Sequence, residues 1–271
     1  MMQAALIVTC EHGGHRLPGE WRALGVGHEA LLASHRGWDP GALELAHTLA
    51  AATHAPLHYA TVSRLLVELN RSPGHPALVS ELSRPLDGAR RERVLERHYR
   101  PYRAAVEDAL RATIRDCGSV VHVSAHTFTP VLDGRPRRVD VGLLYDPARQ
   151  REKAFCETWQ ATLRRLAPTL IVRRNAPYRG VADGFTTWLR RRLPAHRYVG
   201  LELEVNQRHA LGPPDAWRHL RALLADTLTA TLADRDGSGS AHDRRRALRQ
   251  TAVDPGTNEP DERPRAVDRP G

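Results

Sequence analysis

Two short stretches, CEHGG at 10–14 and VSAHTFTP at 123–130, each end an apolar run of β type with a histidine, and they lie more than a hundred residues apart. In an open α/β sheet the carboxyl ends of the strands face a shared crevice, so His12 and His126 can converge there. Two imidazoles brought together in this way suit a mononuclear zinc site, which commonly takes three protein ligands from His, Asp and Glu and keeps a position for water. The alternative is a pair of hydrogen-bonded histidines that cap strand ends. Candidates for the third ligand are Asp39, His15 and Glu11. His15 follows His12 by three residues, a workable local spacing in a loop. Asp39 precedes Pro40 at the start of a helical pattern and also suits an N-cap, with the proline in the first turn.

A water activated at a metal needs a proton acceptor, and LELEV at 201–205 places Glu202 and Glu204 at alternate positions on one strand face. Acids beside leucines and valine are costly to bury unless they have work or partners. Glu204 lies nearer the carboxyl end of its strand and is the expected general base. Glu202 is expected to support it or to serve as an arginine's counter-ion. SRLLVELNRS at 63–72 then adds Arg64, Asn70 and Arg71 around an extended apolar core. Arginine's planar fork suits bidentate binding of a carboxylate, and Asn70 can orient the same ligand, so the substrate is expected to be an acid. Either arginine could instead pair with Glu68 as scaffolding.

The elements that must position these residues alternate between strand-like and helical patterns, which implies an α/β fold with a mostly parallel sheet covered by helices on both faces. Strands are expected at 4–9, 58–69, 119–124, 139–144, 169–173 and 198–205. Helices are expected at 40–53, 89–117 with a kink or break at Pro101, 147–166, 187–193 and 213–233. The Pro- and Gly-rich loop at 72–85 is a candidate to line a site, 127–138 reads as a long loop, and 175–186 is irregular and rich in small and polar residues. From 234 to 271 the chain has Gly-Ser pairs, repeated prolines and almost no large apolar residues, and reads as a disordered polar tail behind one domain at 1–233.

A length of 271 residues, with 41% hydrophobic and 26% charged content, suits one core of ordinary globular composition. No apolar run approaches the roughly 18 residues of a membrane span, and no leader precedes the first strand, so a cytoplasmic location is expected. Cys10, Cys117 and Cys156 are widely spaced without a CxxC, which argues against a disulfide framework or a cysteine zinc knuckle. The formal charge is +9, yet Lys153 is the one lysine and the other 39 of the 40 basic residues are arginine. These alternate with apolar residues along helices without aromatic platforms, a pattern of solvated faces rather than of nucleic-acid binding. Part of the excess can draw an anionic substrate toward a cleft.

Together CEHGG, SHRGWDPGA at 34–42, SRLLVELNRS, PYR at 101–103, SAHTFTPVLDG, DVGLLYDP, NAPYRG, DGFTT and ELEVNQ resemble the N-formylglutamate amidohydrolase family, in consistent order from residue 10 to residue 207. The resemblance implies a zinc-carboxypeptidase-like (phosphorylase/hydrolase-like) fold with a mixed, mostly parallel sheet, and one zinc ion held by His12 and His126 with an acidic third ligand. It further implies that Asn70 and Arg71 hold the substrate carboxylate, that Arg64 polarises the scissile carbonyl and that Glu204 activates water. The implied reaction is hydrolysis of N-formyl-L-glutamate, or a similar N-acyl amino acid, to formate or another acid and the amino acid, linked to histidine breakdown. A carboxypeptidase-like activity on short peptides and a non-catalytic binder of small acids are the alternatives. Two positions depart from the pattern. His15 occupies the place where zinc carboxypeptidases carry an acidic ligand, which makes Asp39, within a family motif, the expected third ligand. Glu68 stands where the family usually has aspartate.

Overall fold

The computed structural model describes residues 5–235. Among these residues there are eight strands: β1 (Ala5–Cys10), β2 (Leu57–Tyr59), β3 (Val120–Phe128), β4 (Val131–Leu132), β5 (Arg135–Pro136), β6 (Val141–Leu144), β7 (Val172–Arg174) and β8 (Tyr198–Asn206). The helices are α1 (Glu29–Ala33), α2 (Ala42–Thr53), α3 (Gly88–Val94), α4 (Arg100–Cys117), α5 (Gln150–Leu166), α6 (Phe185–Arg190), α7 (Gln207–Ala210) and α8 (Pro214–Arg235). Six strands form one sheet in the order β2-β1-β3-β8-β6-β7, and β4 and β5 form a separate small ribbon. Every neighbouring pair in the large sheet is parallel except β6 and β8, which makes it mixed and mostly parallel.

Alternation along the three central strands explains both the core and the site. Leu6, Val8 and Cys10 of β1, Val121, Val123 and Ala125 of β3, and Leu201, Leu203 and Val205 of β8 face one side, where α2, α5 and α8 cover them. The opposite side begins with Ile7, Val120 and Tyr198 packed under α4 and α6. It then turns polar toward the carboxyl ends of the strands, through Thr9, His122, Ser124, His126, Glu202 and Glu204. Register places Ser124 beside both Thr9 and Glu202, and His126 beside Glu204. The chemistry of the chain is therefore gathered at one end of one sheet face, where an open α/β sheet forms its crevice.

Several elements depart from the patterns in the sequence. The helix expected at 40–53 begins two residues later, because Gly41 takes a left-handed backbone (φ 84°) ahead of it. A Cβ at Gly41 would lie 2.5 Å from that of Ala210, so glycine is required for space as well as for φ. Asp39 is consequently no side-chain N-cap: only its backbone carbonyl meets the helix, by accepting from the Ala42 N–H at 3.0 Å, and its carboxylate is turned elsewhere. Of the extended run expected at 58–69, only its start pairs in the sheet. Leu66, Val67 and Leu69 are instead buried against Trp21, Leu78 and Tyr99 in a cluster outside the sheet, and a short continuous apolar run does not tell such an environment from a buried strand. β3 runs four residues past its expected end, which puts His126 inside the strand. The long helix at 89–117 breaks through a π-type turn at Leu95–Tyr99, and Pro101 sits in the first turn of α4. The expected tail lies outside the described residues, apart from Asp234 and Arg235, which complete α8. No helix among the described residues is long and apolar enough to cross a membrane.

Candidate active site

His12 lies in the turn two residues past the end of β1, and its backbone carbonyl accepts from the Asp39 N–H at 3.0 Å, which brings the 34–41 loop to the end of that strand. Asp39 Oδ2 then lies 3.2 Å from His12 Nδ1 and 3.0 Å from His126 Nδ1, with the two rings 5.0 Å apart. All three side chains are buried. The far nitrogen of each ring is held by a second acid. His12 Nε2 bonds to Glu68 Oε1, and His126 Nε2 lies 2.9 Å from Ser124 Oγ and 3.2 Å from Glu11 Oε2. Ser124 gives its single proton to Glu11 at 2.6 Å, so His126 must donate from Nε2.

These bonds set the tautomers. With Nε2–H turned outward to a carboxylate or hydroxyl, each neutral imidazole presents an Nδ1 lone pair to the same carboxylate oxygen. Lone pairs facing one another are repulsive unless a proton or a cation sits among them. Two imidazole nitrogens and a carboxylate oxygen, all within 4.8 Å of one another and backed by acids, form a donor set that could hold a divalent cation. Without an ion, protons on the histidines take its place among the acids. Burial pushes Asp39 and Glu11 upward, but His12, His126 and Arg64 around the first, and His126 and Ser124 around the second, hold both carboxyls well below the usual range. Burial likewise opposes a charge on His126, and its bonds to Asp39 and Glu11 outweigh it and raise its pKa far above the ordinary value.

Glu204 projects from β8 beside His126 and is buried, with Oε2 lacking a hydrogen-bond partner among the described residues. Burial is the main reason its pKa rises to about 8; Asp39 and Glu202 add to the rise, and His126 and Arg64 work against it. Glu202 takes a hydrogen bond from the Thr186 hydroxyl at 2.9 Å rather than pairing with an arginine. Arg64 donates through Nε and Nη2 to Glu68 at 2.7 and 2.5 Å and through Nη1 to Asp39 at 3.2 Å, so it neutralises the acids behind the histidine pair while still facing the cavity.

Asn70 and Arg71 are fixed by a clasp between two loops. The Phe185 N–H donates to Asn70 Oδ1 at 2.6 Å, which leaves the amide group of Asn70 as a donor. Arg71 donates to the Asp183 carbonyl, and Ser72 donates to the Asp183 carboxylate through its backbone at 3.0 Å and its hydroxyl at 2.5 Å. From behind, Arg103 binds the carbonyls of Leu69 and Arg71 at 2.9 and 3.1 Å. Gly184 lies close behind the clasp, where a Cβ would come within 2.8 Å of Glu202 Oε1.

One cavity of about 200 Å³ is lined by His12, Asp39, His126, Arg64, Asn70, Arg71 and Glu204, so every residue singled out for the site meets there. The family model for N-formylglutamate amidohydrolase matches residues 4–211. The chain belongs to the N-formylglutamate amidohydrolase family. Among solved structures, a gene product of Agrobacterium tumefaciens is 28% identical with a TM-score of 0.73, over 86% of this chain and 92% of that one. An N-formylglutamate amidohydrolase from Ralstonia eutropha JMP134 shares the fold at 21% identity and a TM-score of 0.63, over 86% of this chain and 96% of that one. A search of curated proteins finds no match.

Within this amidohydrolase two of the weighed residues take other places. His15 is exposed beside Trp38, with ring centroids 5.1 Å apart, and Glu11 stands behind His126 instead of beside Asp39. Sequence reasoning did not foresee that Glu68 and Glu11 would back the histidines, that Ser124 would contact His126 and Asp183 the 70–72 loop, or that Tyr178 would line the cavity. Ser124 was accessible to it, because alternation along VHVSAHTF puts Ser124 on the same face as His126.

Proposed function

We propose that this chain is a zinc-dependent amidohydrolase that acts in the cytoplasm, as a step of histidine breakdown, and cleaves N-formyl-L-glutamate to formate and glutamate, or a closely similar N-acyl amino acid to the corresponding acid and the amino acid. The observation that carries this reading is the convergence of two Nδ1 atoms on Asp39 Oδ2 beside the unpartnered buried carboxyl of Glu204. His12, Asp39 and His126 would hold the ion. A bound zinc supplies Lewis acidity, which polarises a carbonyl and makes a water more acidic. Glu204 takes a proton from the attacking water and passes it to the leaving nitrogen. Arg64 directs positive charge at the developing oxyanion, and Asn70 and Arg71 bind the substrate's carboxylate through the amide donor and the guanidinium fork.

A substrate panel tests the reaction class. N-Formyl-L-glutamate, N-acetyl-L-glutamate and short dipeptides are compared by kcat/KM. The formyl substrate is expected to exceed the acetyl one by about 10-fold or more, the usual effect of one extra carbon in a close-fitting pocket. Turnover of the dipeptides alone would assign the chain to peptide hydrolysis, and binding without turnover of any substrate would make it a binder of small acids.

A further inference from the structure

The 175–184 loop between β7 and α6 is tied down along its length. Asn175 Oδ1 accepts from the N–H groups of Tyr145 and Gly180, each at 3.0 Å. Arg190 donates to the Gly180 carbonyl at 2.6 Å and to the Gly200 carbonyl of β8 at 2.8 Å, while its Nε bonds both oxygens of the buried Glu152 on α5. A Cβ on Gly180 would lie 2.1 Å from the Tyr145 nitrogen, so the loop packs directly onto the chain that follows β6. A loop held this firmly presents its side chains in fixed positions.

Tyr178 stands within this loop and lines the same cavity as Glu204 and His126. With 41% of its surface exposed, its ring is not core filling. The Arg137 guanidinium lies over the ring, 4.9 Å from its centroid, and donates to the phenol oxygen at 2.7 Å. Arg137 is itself anchored past the β4–β5 ribbon: its N–H donates to the Pro130 carbonyl at 2.8 Å, and its carbonyl accepts from Asn206 at the end of β8 at 3.0 Å. The phenol oxygen is thus an acceptor for a charged donor, and the phenolic proton has no acceptor among the described residues. A hydroxyl polarised in this way is a stronger hydrogen-bond donor.

We infer that Tyr178 is a catalytic residue that donates a hydrogen bond to the substrate's acyl group as negative charge develops there, and that Arg137 is its positioning residue. The inference rests on the amidohydrolase reading above. No proton leaves Tyr178 in this role; it stabilises charge through the O–H it keeps.

The test is a double-mutant cycle of Tyr178→Phe and Arg137→Met, assayed on whichever panel substrate the wild type cleaves best. Tyr178→Phe is expected to lower kcat by about 10²-fold, the usual loss for one oxyanion donor, with KM nearly unchanged. Arg137→Met is expected to lower kcat less, and to have no further effect in the Tyr178→Phe background, a coupling that a merely structural role would not produce. Melting temperatures should stay level, because the hydroxyl deleted is outside the core. An active wild type together with a near-normal kcat in Tyr178→Phe, or additive effects of the two substitutions, overturns the donor role alone. A wild type that cleaves nothing in the panel overturns the amidohydrolase reading and the donor role with it.

Discussion

Replacing Glu204 with glutamine is expected to lower kcat by about 10²- to 10⁴-fold, the range ascribed to a positioned general base, while zinc remains bound. Glutamine keeps the shape of the side chain and cannot accept the proton. The site offers no substitute in the same position, since Glu202 is committed to Thr186 and Asp39 lies between the histidines. The same substitution has an opposite effect on stability. In the metal-free protein the Glu204 pKa is near 8 against an ordinary 4.5, so the folded chain keeps a proton that the unfolded chain has released between those values. Stability contributed by this group is therefore fully present below pH 4.5 and is lost as pH rises through 8, at about 1.4 kcal/mol for each pH unit between the two values. The glutamine variant escapes that loss. Thermal melts of the two metal-free proteins should coincide near pH 4 and separate by pH 8, with the variant the more stable. A variant that keeps near-normal turnover would remove Glu204 from the role of base.

Substituting His126 by alanine is expected to abolish tight zinc binding and to weaken the fold at once. The ring contributes one of three converging donor atoms, and loss of a mere outer partner of a metal ligand already costs about 10- to 100-fold in affinity. It also leaves Glu11, with no exposed surface, without its imidazole partner, and takes one of two histidine contacts from Asp39. Breaking a buried pair in this way costs about 3–5 kcal/mol. Ser124 and Tyr102 still donate to Glu11, at 2.6 and 2.9 Å, which places the loss toward the lower end. Equilibrium dialysis against zinc and a thermal melt measure both effects. Wild-type zinc affinity in the alanine variant would assign the ion to a different set of ligands.

How much of this could be read before the fold was known depends on how local each signal is. Alternation is a property of neighbouring residues, so the polar face of LELEV was legible: Glu202 and Glu204 do share one face, beside Ser124 and His126. The meeting of His12 with His126 followed from strands ending at a common crevice. Asp39 was legible as a residue type but not in its pose. Whether an aspartate before a helix caps it or turns away depends on the φ of Gly41, and the room for that φ is set by contacts with Ala210 and Trp217 in the distant C-terminal helices. Glu68 was the hardest to foresee. It follows a continuous apolar run of leucines and valine that could be read as a buried strand, yet the run packs against Trp21 and Tyr99 outside the sheet and carries Glu68 to His12, 56 positions away in the chain. Only the packing of that run decides that the acid serves a histidine as well as Arg64.

Formate release from N-formyl-L-glutamate by metal-stripped protein, titrated with zinc, tests the central claim most directly. The expected result is no release by the stripped protein and a rate that rises with added zinc until one ion per chain is bound. Equal release with and without zinc would contradict a metal-dependent site. No release by zinc-loaded protein would contradict the assignment of this substrate.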